Sequence, residues 1–480
     1  MFLRLSIYAC LFSTLLFLIS CAVNPVTGKR ELMLISESEE IALGKQSDPQ
    51  IMAQYGLYDD PKLNQYLDGI GQRMAAISHR PHLKYEFKVV DSPIINAFAL
   101  PGGYVYFTRG ILAHLNSEAE MAGVLGHEIG HITARHSAQK LSQAQFAQLG
   151  LGVGTIISPA FAQFAGLAGT GVQLLFLKFG RDDERQSDQL GVDYSTEIGY
   201  DAREMANFFG TLDRMHSNSE GGSLPGWLST HPQPEERVGN VTRMAEERQQ
   251  TQDASKLKIN RDKYLQMIDG LVYGDDPRHG YVENNRFYHP DLKFQYPIPT
   301  GWKTVNTPSQ VNMISQDQKA MMVLMASSGT DPVAAEKSFV EQFKVAVSSS
   351  SAKTVNSFPA RVMLGSVAQQ DGTVRIMAYF IKYGNLTYVF YGYTYENSYS
   401  KFAPVFQSSM DGFKKLTDQR KINVKSDRVR VKTVNRRATL RDVLKSFKVE
   451  DKRLEELALL NGLKLTDYVP ARSKVKVVGK

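Results

Sequence analysis

Two histidines four residues apart, in His127-Glu128-Ile129-Gly130-His131, constrain this chain more than any other feature. An α-helix turns about 100° per residue, so both imidazoles project from one face about 40° apart and can hold one zinc ion. Glu128 then stands beside the metal, in reach of a water it can deprotonate. The neighbouring residues predict the helix itself: Ser117 and Glu120 have capping-box spacing, and Met121, Val124 and Leu125 follow at helical intervals. On a continuous helix His136 lies about 180° from His127 and is expected to stay outside the group.

A catalytic zinc site needs a third protein ligand and keeps one position open. About fifty residues on, Glu184 and Asp188 share one face of a second helical segment. Glu184 can ligate while Asp188 holds a ligand imidazole from behind. The spacing alone leaves equally open an ordinary solvated, charged face.

Together, the His127–His131 motif, Glu184 with Asp188, and Ser229-Thr230-His231-Pro232 resemble the HtpX and CAAX prenyl endopeptidase family of gluzincin metallopeptidases. The likeness extends over about residues 23–245, through Asn24-Pro25-Val26-Thr27-Gly28 and Asn96-Ala97-Phe98-Ala99-Leu100-Pro101-Gly102-Gly103. It is nearest a periplasmic lipoprotein branch similar to the β-barrel assembly-enhancing proteases. The resemblance implies His127, His131 and Glu184 as zinc ligands, Glu128 as general base, and Asp188 as the carboxylate behind a ligand. It places His231 near the metal, where an imidazole blocks the water position or assists the transition state. In enzymes of this kind an edge strand beside the motif helix holds an extended substrate by main-chain pairing. Asn96, Ala97, Phe98, Ala99 and Leu100 are the candidates, with a buried core strand as the alternative reading.

At the start, Arg4 precedes an apolar run from Leu5 to Leu18 that ends Leu18-Ile19-Ser20-Cys21. A basic residue, a short apolar stretch and small residues before a cysteine form a lipoprotein signal peptide, so cleavage is expected before Cys21. The run is short for a transmembrane anchor. Cys10 departs with the signal, which leaves Cys21 as an acylation site and no disulfide in the mature chain. By resemblance to bacterial lipoproteins, Ala22 in place of Asp implies an outer-membrane lipoprotein facing the periplasm, if the source has two membranes. The stretch Leu141 to Leu177 has no charged residue and is long enough to span a bilayer. Its six glycines and Pro159 instead favour helices packed over the active site or resting on a membrane surface.

At 480 residues the chain exceeds a single core. The expected fold class is α+β. After a signal peptide (1–20), a mainly helical zincin peptidase domain with a small sheet covers 21–260, an α+β accessory domain 285–418, and a basic module 425–480. Helices are expected over 36–55 and 61–77 and around 265–272, with strands over 84–90 and 104–107. In the accessory domain strands are expected at 321–325, 360–367, 374–381 and 387–393, with hairpin turns at Asp371-Gly372 and Gly384-Asn385, and helices near 334–347 and 400–416. This vaguely resembles the PsbP-like sandwich.

Residues 421–480 carry 17 Lys and Arg against 7 Asp and Glu, or +10, while the whole chain carries +7, leaving −3 elsewhere. Thr439 to Leu444, Leu454 to Leu457, Asn461-Gly462-Leu463 and Val469-Pro470 resemble a small LysM module, although Arg437-Ala438 and Pro470-Ala471 replace its usual Gly-Asp and Pro-Gly. Peptidoglycan, an anionic envelope polymer or lipid headgroups are the partners this charge suits, and nucleic acid is not expected for an exported chain. The expected function is a zinc-dependent endopeptidase, one Zn2+ per chain, acting on unfolded or misassembled envelope proteins. The alternative is an envelope chaperone or assembly factor with little proteolysis, which has no need of His127, Glu128, His131 and Glu184 together.

Overall fold

The computed structural model describes residues 21–151, 178–217, 226–231, 234–369 and 372–480. A hairpin of β1 (Cys21–Val23) and β2 (Arg30–Leu32) leads into α1 (Glu37–Tyr55), where Ser36 and Glu39 form a full capping box. Asp60 caps α2 (Pro61–Ala76), with Pro61 in its first turn. Three strands then form a small sheet in the order β3-β5-β4. β3 (Glu86–Val90) runs parallel to β5 (Tyr104–Thr108), and β4 (Ala97–Leu100) pairs antiparallel on its other side. The turn from β4 to β5 needs glycine: Gly103 sits at φ 111, and a Cβ there would stand 2.5 Å from the Lys84 carbonyl oxygen.

After α3 (Arg109–His114) comes the motif helix α4 (Glu118–Thr133), buried along its whole length. Ser117 accepts the Glu120 N–H as expected, but the Glu120 carboxylate takes the N–H of Asn116 rather than that of Ser117. Arg135 turns left-handed at φ 61 before α5 (His136–Leu151) begins, so the helix is not continuous from His127 to His136. α6 (Arg181–Glu197) packs along α4 at very close range: a Cβ on Gly126 would lie 3.0 Å from the Gly191 Cα, so the missing side chains let the two backbones approach. α7 (Glu204–Ser217), α8 (Gly226–Thr230), α9 (Pro234–Gln249) and α10 (Arg261–Ile268) complete this part. α10 stops short of Val272 because Gly270 takes φ 94 and Val272 bridges to Arg428.

In the accessory domain, β6 (Tyr281–Glu283), β7 (Arg286–His289) and β8 (Phe294–Pro297) form a small sheet. β9 (Lys303–Asn306), β10 (Gln310–Ile314) and β11 (Ala320–Ser327) precede α11 (Pro332–Phe343), followed by β12 (Ala346–Val355), β13 (Phe358–Gln369), β14 (Gly372–Tyr383) and β15 (Leu386–Tyr395). These seven strands make one antiparallel sheet, β12-β13-β14-β15-β11-β10-β9. Along β14, Ile376, Ala378 and Phe380 face Phe339 and Phe343 of α11, while Met377, Tyr379 and Ile381 join the opposite cluster with Phe402 and Phe406 of α12 (Tyr399–Asp411). Gly384, at φ 59, opens the expected Gly384-Asn385 turn, and Asp371 lies outside the described residues. The helix expected to reach Val347 ends at Phe343, because Lys344 is left-handed at φ 52 and Ala346 already pairs in β12. Likewise α12 stops at Asp411 rather than near Leu416, since β16 (Lys414–Lys415) leaves to pair with β8.

A short helix, α13 (Gln419–Ile422), precedes the C-terminal module of β17 (Arg428–Thr433), β18 (Ala438–Thr439), α14 (Leu440–Ser446), α15 (Leu454–Leu460), β19 (Tyr468–Val469) and β20 (Lys474–Gly479). β17 pairs with β20, and β18 with β19. The module shares the core of the peptidase part: Val429, Leu440, Leu457 and Val475 lie in one buried cluster with Leu112, Leu115, Leu212 and Leu265. Lys476 is wholly buried, and its Nζ donates to the carbonyls of Ala113 (2.7 Å) and Leu115 (2.8 Å) at the end of α3. Its amine thus supplies donors that the last carbonyls of a helix otherwise lack. Among the described residues no helix is long and apolar enough to cross a membrane, and residues 152–177 of the uncharged stretch lie outside them, as does the signal segment 1–20.

Candidate metal centre

α4, α6 and the end of α8 bring four side chains to one point. His127 Nε2 lies 3.0 Å from His131 Nε2, Glu184 Oε2 is 3.7 Å from the first and Oε1 3.6 Å from the second. His231 Nδ1 stands 2.9 Å from Glu184 Oε1 and 3.2 Å from His127 Nε2. All four residues are buried, with one possible ligand atom from each within 4.8 Å of the others.

Hydrogen bonds behind the rings decide which nitrogens face inward. His127 Nδ1 lies 2.9 Å from Asp188 Oδ1, so the proton sits on Nδ1 and the Nε2 lone pair points into the group. His131 is held in the same way by a residue expected to lie elsewhere. The left-handed Arg135 swings His136 back, its Nε2 donates to Gln186 Oε1 at 2.9 Å, and its Nδ1 is left to accept from His131 Nδ1 at 3.0 Å. The Nε2 of His131 therefore also presents a lone pair. Lone pairs and a carboxylate converging in a buried space repel one another unless a cation stands among them. Donors about 2.0–2.1 Å from a tetrahedral zinc are about 3.3 Å apart, close to the separations found. The residues fit a divalent ion that prefers nitrogen and oxygen.

Electrostatics point the same way. Burial holds His127 and His131 far below the usual histidine range, in the neutral form that ligates. Burial also pushes the Glu128 carboxyl up to about 7, with the charge of His231 opposing it. Glu128 Oε1 has no hydrogen-bond partner and lies 3.7 Å from His231 Nε2. The Trp227 indole lowers the Glu128 pKa, yet its own N–H is unpartnered, so the two are close without hydrogen-bond geometry. Burial would lower His231, but Glu184 and Glu128 outweigh it and raise the imidazole. Burial would raise Glu184, and His231 and Arg237 overcome it to keep the carboxylate ionised.

Arg237, near the start of α9, joins His136 among the residues at the centre that the sequence did not mark. Its Nε and Nη2 grip Asp188 at 2.8 and 2.5 Å, and Nη1 is 2.9 Å from Glu184 Oε2 without the alignment of a hydrogen bond. The guanidinium lies over the rings of Phe209 (4.2 Å) and Trp227 (4.5 Å). Its only signal in the sequence is its position six residues beyond His231, within a Glu-Glu-Arg run that reads as solvated surface.

β4 forms an edge of its sheet and packs on α4. Ala97, Phe98 and Leu100 are buried and Ala99 partly so, which joins the edge-strand and core-strand readings in one element. Asn96 precedes the strand; its N–H is bonded to Thr108 Oγ1 and its Oδ1 is buried without a partner. The Ile95 carbonyl accepts the Trp227 N–H at 2.9 Å, tying this strand to the helix that carries His231.

Residues 61–245 match peptidase family M48, a family of metal-dependent peptidases. The β-barrel assembly-enhancing protease of Yersinia pestis is 33% identical over 221 residues, 44% of this chain and 45% of that one. Its namesake in Escherichia coli (strain K12) is 28% identical over the same shares of both chains. The mitochondrial metalloendopeptidase OMA1 of Arabidopsis thaliana is 36% identical over 166 residues, 34% of this chain and 32% of its own length. The chain thus spans less than half the length of these curated relatives. A solution structure of cyanobacterial PsbP from Synechocystis sp. PCC 6803 is similar at 12% identity and a TM-score of 0.24, over 30% of this chain and 98% of that one.

Proposed function

We propose that this chain is a zinc endopeptidase of the cell envelope that cleaves unfolded or misassembled outer-membrane and periplasmic proteins. The observation that carries the reading is the convergence of the lone pairs of His127 and His131 with the Glu184 carboxylate, beside an unpartnered carboxyl at Glu128. Zinc bound there supplies Lewis acidity towards the scissile carbonyl and makes water more acidic. Asp188 and His136 keep the two ligand rings in the binding tautomer, and Arg237 holds Asp188 in place. Glu128, with a pKa near neutrality, takes the proton of the attacking water and delivers it to the leaving amine. The edge of β4, which among the described residues pairs with β5 alone, and the buried Asn96 Oδ1 suit the main chain of an extended substrate. The names of the bacterial relatives support envelope β-barrel proteins as the client class.

Digestion of casein or an unfolded β-barrel protein, with and without a chelator, tests this. Cleavage should cease on chelation and return with zinc. An intact substrate that the chain nevertheless keeps soluble would favour the chaperone reading instead. His231 stands among the ligands rather than apart from them, so a metal ion that displaced its proton would leave it in the fourth position as a resting gate. His231→Ala should therefore speed hydrolysis at unchanged metal content. A fall of roughly 10²–10³ would assign it the role of oxyanion donor.

The anchor we propose is an acylated Cys21. Labelled palmitate should enter the wild-type chain and not Cys21→Ser, which a high-salt wash should free from membranes. Salt is needed because exposed Lys432, Arg436 and Arg437 can hold the protein to anionic polymer or headgroups. A variant that stays bound through the wash would show that another segment anchors the chain.

A further inference from the structure

The accessory sheet ends in two unlike edges. β9 is four residues long and begins with Lys303, and short charged edges are a common means of preventing strand addition. β12 is ten residues long, contains no proline, pairs among the described residues with β13 alone, and is exposed at every position except Lys353 and Val355. Its one charge does not guard it, since Lys353 Nζ is turned back onto Tyr379 Oη (2.8 Å) and Asp411 Oδ1 (2.6 Å).

The turn that joins β12 to β13 fixes which main-chain groups are free. Asn356 and Ser357 both have positive φ, 44 and 72, and close the pair Val355 and Phe358. In a two-residue hairpin of this kind the flanking pair is hydrogen-bonded. Val355, Lys353 and Ser351 therefore turn their N–H and C=O groups to β13, while Thr354, Ala352 and Ser350 turn theirs outward. The run Ser348 to Ser351 places small hydroxyl groups around this open edge. They give little apolar surface to drive indiscriminate association, and they do not block the approach of another main chain.

We propose that β12 is a docking edge for an extended segment of non-native polypeptide, which adds to the accessory sheet as an eighth strand. The proposal rests on the reading that the chain handles unfolded envelope proteins. A β-barrel strand outside its barrel is an extended chain with unpaired main-chain groups, the complement of this edge. Recognition through the main chain tolerates varied side chains, as a broad clientele requires. A second copy is the weaker fit. Two such edges would set serine runs against each other and bury little apolar surface, short of the roughly 1,200 Å² of a stable interface.

Amide hydrogen exchange on the full chain, carrying Glu128→Gln so that nothing is cut, tests this with a ten-residue peptide of alternating valine and threonine. Exchange over residues 346–355 should slow by about tenfold on addition of the peptide. Ala352→Pro, which removes an outward N–H and spares the ladder to β13, should abolish that protection. Should that variant unfold, the peptide itself carries the test: N-methylation of one alternate set of its amides should prevent protection, and methylation of the other set should not. Protection elsewhere, none at millimolar peptide, or equal protection by both methylated peptides would overturn the proposal. So would protection of 346–355 that needs no peptide and grows with protein concentration, the mark of a second copy. The readout needs no hydrolysis, so a chain that failed to digest casein would leave this result standing, and the reverse also holds.

Discussion

Glu128→Gln should lose hydrolysis by roughly 10²–10⁴ and keep its metal, whereas Glu184→Ala should lose both. The separation follows from where the two carboxyls stand. Glu184 places its oxygens 3.6 and 3.7 Å from the paired imidazole nitrogens and is held ionised, so it belongs to the ligand group. Glu128 lies outside that group with Oε1 unpartnered. Glutamine has the same shape and resembles the protonated acid that burial already favours, so the substitution should leave packing intact while removing the proton acceptor. Elemental analysis of purified protein and the rate on an unfolded substrate check both variants. A Glu128→Gln chain that lost metal as Glu184→Ala does, or cleaved at a wild-type rate, would refute this division of roles.

Arg237→Met should destabilise the chain by about 3–5 kcal/mol, the usual cost of leaving a buried carboxylate without its partner. Asp188 would lose two charge-assisted hydrogen bonds, and Glu184 a cation 2.9 Å away, where both carboxylates are buried. Because Asp188 fixes the tautomer of His127, metal affinity should fall as well, by roughly 10–100-fold. Arg237→Lys keeps the charge but not the two-pronged grip and should fall between the two. Urea unfolding and a competitive metal titration measure the effects. Stability within about 1 kcal/mol of wild type at unchanged affinity would remove Arg237 from the centre.

What the sequence made legible is what local spacing controls. His127 and His131, and Glu184 and Asp188, are pairs on single helices, so periodicity alone places each pair on one face. Apolar, β-branched and aromatic runs between turn signals likewise marked the long strands β13 to β15, of which β14 and β15 are buried on both faces of their sheet. His136 stays outside the ligand group as expected, but its contact behind His131 was not foreseen, because one left-handed residue, Arg135, cancels the helical arithmetic, and nothing in a single arginine announces that conformation. Arg237 was missed because a charge in a polar run looks solvated until a tertiary neighbour claims it. β12 escaped for a similar reason: a run of serines has weak strand propensity, and its pairing is decided by β13. Lys476 counts towards the basic charge of the last sixty residues, yet it is buried and burial drives its pKa far down.

That lysine also sets an order in time. It closes on the carbonyl of Leu115, 361 residues earlier, and the strand that carries it fills the same core as the helices around the metal centre. Chains are made amino end first, so the core around the candidate metal centre stays open, without the module from β17 to β20, until the whole accessory sheet has been synthesised. The two ends of the sequence must therefore meet before this core is complete.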